Sequence, residues 1–122
     1  MLTSSAKAKA RRLQNAVCSD IRATFPGLSF KDVQPAIMGE AGVDIQLSDN
    51  ARALVPLAVE CKNAEKLNIW AALDQAAANA TKEELRPAVV FKKNDKPLYI
   101  ALEWEMFMGI LKEANRNAEG LE

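Results

Sequence analysis

Residues 43–63 read VDIQLSDNARALVPLAVECKN, and two runs within them alternate apolar and polar side chains: Val43-Asp44-Ile45-Gln46-Leu47-Ser48 and Val55 through Lys62. Alternation of period two marks a half-buried strand. Ser48-Asp49-Asn50 carries turn chemistry, and Pro56 is tolerable only near a strand start or edge. The two runs are therefore predicted to pair as a hairpin, in a register constrained by the need to share one buried face. With symmetry about Arg52, Val43 faces Cys61, Ile45 faces Val59 and Leu47 faces Leu57, an apolar set on one side. On the other side Asp44 faces Glu60. Directly opposed Cβ atoms in antiparallel strands lie roughly 4.5–5.5 Å apart, where like charges destabilise. A slip of two residues still leaves both carboxylates on one face.

Outward from this stretch, residues 4–25 are predicted to form an amphipathic helix, with Leu13, Val17, Ile21 and Phe25 on one stripe and Pro26-Gly27 ending it. Val33–Met38 is a short strand candidate, and Gly39 and Gly42 bracket a bend before Asp44. Asn63 is suited to cap a helix running to about residue 81. In that helix Ile69, Ala72, Leu73, Ala76, Ala77 and Ala80 follow helical spacing, and their small side chains allow close packing on a sheet. Ala88–Lys92 and Leu98–Leu102 are two further strands around a Lys93–Pro97 turn. A last helix carries Trp104, Phe107, Met108 and Leu111 as its core face, with Met106 and Ile110 widening the stripe. Trp70 is also expected in the core. The order of helix, three strands, helix, two strands, helix implies an α/β sandwich around a mixed central sheet.

Length and composition agree with one domain over residues 1–122: 49% of residues are hydrophobic and 26% charged. Such a domain buries roughly two-thirds of the surface its unfolded chain exposes, so it needs no metal or disulfide staple to fold. Cys18 and Cys61 form no CxxC or CxxH pattern, which leaves zinc and disulfide frameworks without support and fits a reducing cytoplasm. The first residues are polar and basic, and no apolar run approaches a membrane span. Histidine is absent, which removes Ser-His and Cys-His nucleophile pairs and imidazole ligands. Chemistry must then rest on carboxylates, lysine or a hard cation. The net charge is zero, a weak argument against a nucleic-acid partner, but its distribution is uneven. Lys7, Lys9, Arg11 and Arg12 form one basic block, and Lys92, Lys93 and Lys96 another around a turn.

Two neighbouring carboxylates require a shared proton, a cationic side chain or a metal ion. Lys62, two residues beyond Glu60, projects from the same face. Asp44, Glu60 and a backbone carbonyl such as that of Cys61 would suit Mg²⁺, which prefers oxygen ligands and keeps several waters. The acid-x-Lys triplet Glu60-Cys61-Lys62 draws its meaning from context: a strand end, after Asp44 and before a helix.

Asp44, a hairpin and Glu60-Cys61-Lys62 together resemble the signature of the PD-(D/E)XK nuclease superfamily. The common core of that family, a helix, three strands, a helix and a further strand, matches residues 4–92 in order. The stretch from Glu60 through Leu67-Asn68-Ile69-Trp70 to Gln75 looks like that of small phage-borne members, and short single-domain members include the archaeal-type Holliday junction resolvases. The resemblance implies a restriction-endonuclease-like fold with an additional strand and a C-terminal helix. It implies that Asp44 and Glu60 are metal ligands, for Mg²⁺ or Mn²⁺, and that Lys62 activates the attacking water. Many resolvase-like members carry a glutamate on the first helix; here that helix offers Asp20, with Gln14 as a polar substitute. Glu40 is a further acid near Asp44. Gln75 is placed like the helical glutamine of RecB-like members, with Asn79 where a tyrosine is expected. Lys7, Lys9, Arg11, Arg12, Gln14, Asn63 and Gln75 are the candidate substrate contacts.

The expected function is a Mg²⁺-dependent DNA endonuclease, structure-selective on branched DNA such as Holliday junctions. It is expected to act as a homodimer in the cytoplasm, the host's if the chain is phage-borne. The alternatives are a catalytically inactive nucleic-acid-binding module of the same fold and a protein-interaction domain. Salt-dependent DNA retention without cutting separates the first alternative, and no retention at low salt the second.

Overall fold

A computed structural model describes residues 4–37, 42–83 and 85–119. Helix α1 (Ser4–Thr24) buries Leu13 and Val17, with Ile21 and Phe25 packed beside them, so the predicted stripe is its inner face. Strand β1 (Val33–Pro35) pairs antiparallel with β2 (Ile45–Leu47), with Val33 opposite Leu47 and Pro35 opposite Ile45. The strand expected to reach Met38 is shorter, and Met38, Gly39 and Glu40 lie outside the described residues.

The turn expected after Leu47 is instead a short helix, α2 (Asp49–Leu54). Ser48 caps it: its Oγ accepts from the Ala51 N–H at 3.2 Å and donates to Asp32 Oδ1 at 2.7 Å. Cap chemistry and turn chemistry use the same residue types, so Ser-Asp-Asn reads either way. Ala51 decides it by packing, fully buried in the main core.

Strand β3 (Leu57–Asn63) leads through α3 (Ile69–Glu83) to β4 (Arg86–Lys92), then β5 (Tyr99–Ala101) and α4 (Trp104–Glu119). β3 and β4 are parallel over their full length, Leu57 opposite Arg86 to Asn63 opposite Lys92, and β5 is antiparallel to β4. The result is a mixed three-stranded sheet, ordered β3-β4-β5, with a separate β1-β2 ribbon. The expected β2–β3 hairpin is therefore corrected: the ladder partner of β3 is β4. Ala58, Val59, Glu60 and Cys61 are all buried, the mark of a strand covered on both faces, as parallel strands are. Two bonds through Asp44 still tie the ribbon to β3, as described below.

Helices cover the two faces of β3. Val59 and Cys61 join α1, Ile45 and Leu47 in one core, while Ala58 packs with Ala80 of α3. The predicted apolar face of Ile45, Leu47, Leu57, Val59 and Cys61 holds. Val43 departs from it and packs with Ala58 and Ala80, because it precedes β2 and the strand alternation does not reach it. Ala72, Ala76 and Ala80 are buried against the sheet, as their size predicts. The helix cap is Asn68 rather than Asn63: Asn68 Oδ1 accepts from the Ala71 N–H at 3.1 Å, while Asn63 ends β3.

Two expectations of burial fail. Trp70 is 76% exposed and Trp104 69%, and Phe107 and Leu111 are exposed as well, so α4 turns its apolar face outward. Cys18 and Cys61 are free thiols in the same core. Among the described residues no helix is long and apolar enough to cross a membrane.

Candidate active site

The site is built on the α3-facing side of β3, from residues two apart. Glu60 is 1% exposed although its side chain is ionisable, and it lies beneath α3. Asp44, arriving from the loop before β2, donates its N–H to the Val59 carbonyl at 3.0 Å and accepts the Cys61 N–H on Oδ2 at 2.7 Å. These bonds bring its carboxyl within hydrogen-bonding reach of Glu60. The predicted proximity of Asp44 and Glu60 is thus present, through a side-chain clasp instead of a strand ladder.

The helix answers the strand at matching spacing. Glu60 Oε1 accepts from Asn79 Nδ2, and Lys62 Nζ donates to Gln75 Oε1 at 2.8 Å. Residues two apart on a strand and four apart on a helix advance by about the same distance, roughly 6 to 7 Å, so the four side chains meet in register. Asn79, which sequence reasoning registered only as a missing tyrosine, is the residue it missed. The signal was there in its i+4 relation to Gln75.

Burial, and secondly the Asp44 charge, raise the Glu60 carboxyl to about 7 from an ordinary 4.5; the bond from Asn79 and the charge of Lys62 oppose the rise. At neutral pH Glu60 is thus about half protonated, and a bound cation would displace that proton. Burial, with Asp44 and Cys18 next, raises the Cys61 thiol, which makes it a core side chain and no nucleophile.

The donor set fits a hard divalent cation. Asp44 Oδ2 is engaged by the Cys61 amide and Glu60 Oε1 by Asn79, which leaves the second oxygen of each carboxylate for a ligand. In an extended strand the N–H and C=O of one residue point the same way, so the Cys61 carbonyl faces Asp44 as well. Two carboxylates and a carbonyl, completed by water, suit Mg²⁺ or Mn²⁺. Among the described residues no group of three or more His, Cys, Asp or Glu side chains has the arrangement of a metal site. Asp20, the acid on α1, is exposed.

The other predicted contacts divide. Asn63 Nδ2 donates to the Lys9 carbonyl at 3.2 Å, which docks the basic end of α1 beside the carboxyl end of β3. Lys7 and Arg12 there are exposed and Lys9 half-buried, while Arg11 donates to the Ala36 carbonyl at 3.2 Å. Gln14 is buried, and its Oε1 has no hydrogen-bond partner. Searches of family models, curated proteins and solved structures found no match to this chain.

Proposed function

We propose that this chain is a Mg²⁺-dependent deoxyribonuclease of the PD-(D/E)XK kind, with Asp44, Glu60 and Lys62 as its catalytic residues. One observation carries the reading: a buried Glu60 carboxyl beside a half-buried Asp44, clasped by Asn79 and by the Cys61 amide, with Lys62 on the same strand face as Glu60. Burying one carboxylate beside another costs stability, and a cation or a proton must balance the pair. A Mg²⁺ ion held by Asp44, Glu60 and the Cys61 carbonyl would supply Lewis-acid polarisation of a phosphodiester and a more acidic water. Asp44 is oriented by a backbone amide and Glu60 by Asn79, so neither carboxylate must reorganise to act. Lys62, steered by Gln75, brings an ammonium to the phosphate oxygens and stabilises the charge that develops there. The basic end of α1, with the positive end of its dipole, would attract the DNA backbone.

The reading includes the cytoplasm as the place of action. It also includes a homodimer that cuts branched DNA, formed through the outward apolar face of α4.

The test is incubation of labelled duplex, single-stranded, flap and four-way-junction DNA with the protein in Mg²⁺, Mn²⁺ or EDTA. Cutting should require the metal, and Asp44→Asn and Glu60→Gln should each reduce it by at least about a hundredfold while the protein stays folded. Lys62→Ala should lose cutting but keep metal binding. Near wild-type cleavage by either carboxylate variant would remove the assignment. Salt-sensitive DNA retention with no cutting would select the inactive binding module.

A further inference from the structure

The second basic cluster lies beside the first site, with an aromatic platform inside it. A groove of about 320 Å³ opens between the segment after β3 and the β4–β5 turn, lined by Leu67, Phe91, Lys92, Lys93, Lys96 and Tyr99, with Ala64 and Glu65 at its edge. Phe91 is the register neighbour of Lys62 across the parallel pair, so the groove begins one strand spacing, roughly 5 Å, from the lysine of the site and on the same face. Tyr99 is 56% exposed and stacks on Phe91 at 6.0 Å between ring centroids, with 30° between the planes. The acid at the edge is occupied: Glu65 Oε2 accepts the Asn94 N–H at 3.0 Å and so holds the lysine-bearing turn in place. A Lys96 N–H bond to the Lys93 carbonyl closes that turn.

We infer that this groove binds unpaired nucleotides of a DNA strand, with a base on Tyr99 and the backbone on Lys92, Lys93 and Lys96, next to the phosphate presented to Asp44, Glu60 and Lys62. The chemistry selects a single strand. An exposed ring can stack only on a base face that is not already stacked within a duplex, and aromatic platforms set among lysines are how single strands are held without sequence readout. The volume lies at the low end of the roughly 300–1,000 Å³ range of ligand pockets, which suits one nucleoside and excludes a helix. The inference rests on the nuclease reading for its orientation. It narrows the substrate to DNA that is unpaired beside the cut, such as a flap, a fork or the branch point of a junction.

The experiment is fluorescence anisotropy of a labelled oligo-dT and of a matched duplex in EDTA, with cleavage in Mg²⁺ measured separately. Tyr99→Ala should weaken oligo-dT binding about tenfold or more, Tyr99→Phe should bind as wild type, and duplex binding should change little. Replacing Lys92, Lys93 and Lys96 with Ala should flatten the slope of log K against log salt by up to about 2, at roughly 0.7 per phosphate on single strands. Circular dichroism confirms that each variant is folded. Unchanged oligo-dT affinity in both variants overturns the inference, as does an equal loss on duplex. If the wild type cuts DNA while the groove variants bind normally, the inference fails and the nuclease reading stands. If the groove variants lose binding but the wild type never cuts, the groove stands and the nuclease reading fails.

Discussion

Glu60 is where the fold and the proposed chemistry conflict. Its carboxyl is buried, stands beside Asp44 and is raised to about 7, so the charge needed to bind a cation is disfavoured by the fold that positions it. Between pH 4.5 and 7 the unfolded chain has released this proton and the folded chain still holds it. The unfolded state then binds fewer protons, and stability falls as pH rises across that window. At about 1.4 kcal/mol per pH unit, the loss in EDTA should be roughly 3–4 kcal/mol, with no further change from this group above pH 7. Thermal melts across pH should show this fall in the wild type and not in Glu60→Gln, which should be the more stable of the two at pH 8. Identical pH slopes would mean that the Glu60 proton is not linked to folding. The same proton competes with a cation, so apparent Mg²⁺ affinity should drop by about tenfold per pH unit below 7. Titration calorimetry at pH 6 and pH 8 checks it.

At the level of elements, α1 and α3 hold β3 from opposite faces, and small helices and loops bring the remaining groups to it. α2 exists because Ser48 caps it and Ala51 buries beneath it, so Ser48→Ala should cost about 1 kcal/mol, more if the bond to Asp32 Oδ1 adds to the cap. Chemical denaturation would read the change as a lower midpoint at constant slope. An unchanged midpoint would mean that the 49–54 segment is held by packing alone. The basic end of α1 is docked by Asn63 at the carboxyl end of β3, with Lys7 and Arg12 exposed. Replacing Lys7, Lys9 and Arg12 with Ala should flatten the salt dependence of duplex binding by up to about 2.7, from roughly 0.9 per phosphate contact. A slope equal to that of the wild type would place this end of α1 away from DNA.

For the whole molecule, exposed apolar surface gathers on α3 and α4. Trp70 and Trp104 flank a groove with Leu73, Ala77, Pro87 and Leu102, and Phe107 and Leu111 continue the face along α4. The Arg86–Glu113 pair ties α4 to β4, but it is exposed and contributes little. A twofold pairing through this face would cover the tryptophans and hold two cutting sites in fixed relation, as incision of two strands of a junction requires. The basic-aromatic groove at Tyr99 shares no lining residue with it, so both can be used at once. Sedimentation should give a dimer that Trp104→Glu converts to a folded monomer with reduced paired incision. A monomer that cuts linear duplex as fast as a junction would remove the dimer and leave a general nuclease.

Local periodicity was enough to predict every long element, the inner stripe of α1 and the small-residue face of α3. Those features depend on residues two, three or four apart, and backbone geometry alone places such residues together. Lys62 was visible for the same reason, Gln75 only through the resemblance to RecB-like members, and Asn79 only as an oddity. Tertiary structure alone decided that β3 pairs with β4 and not with β2, because partner choice depends on which faces become buried once α1 and α3 have packed. It also decided that Asp44 reaches Glu60 through a backbone clasp, and that Lys62 and Glu60 are each met by a side chain of α3. An outward Trp70 or Trp104 has the same helical spacing as an inward one, so the sequence established an amphipathic face and only packing, with no element among the described residues laid over the Trp104 side of α4, turned that face to the surface.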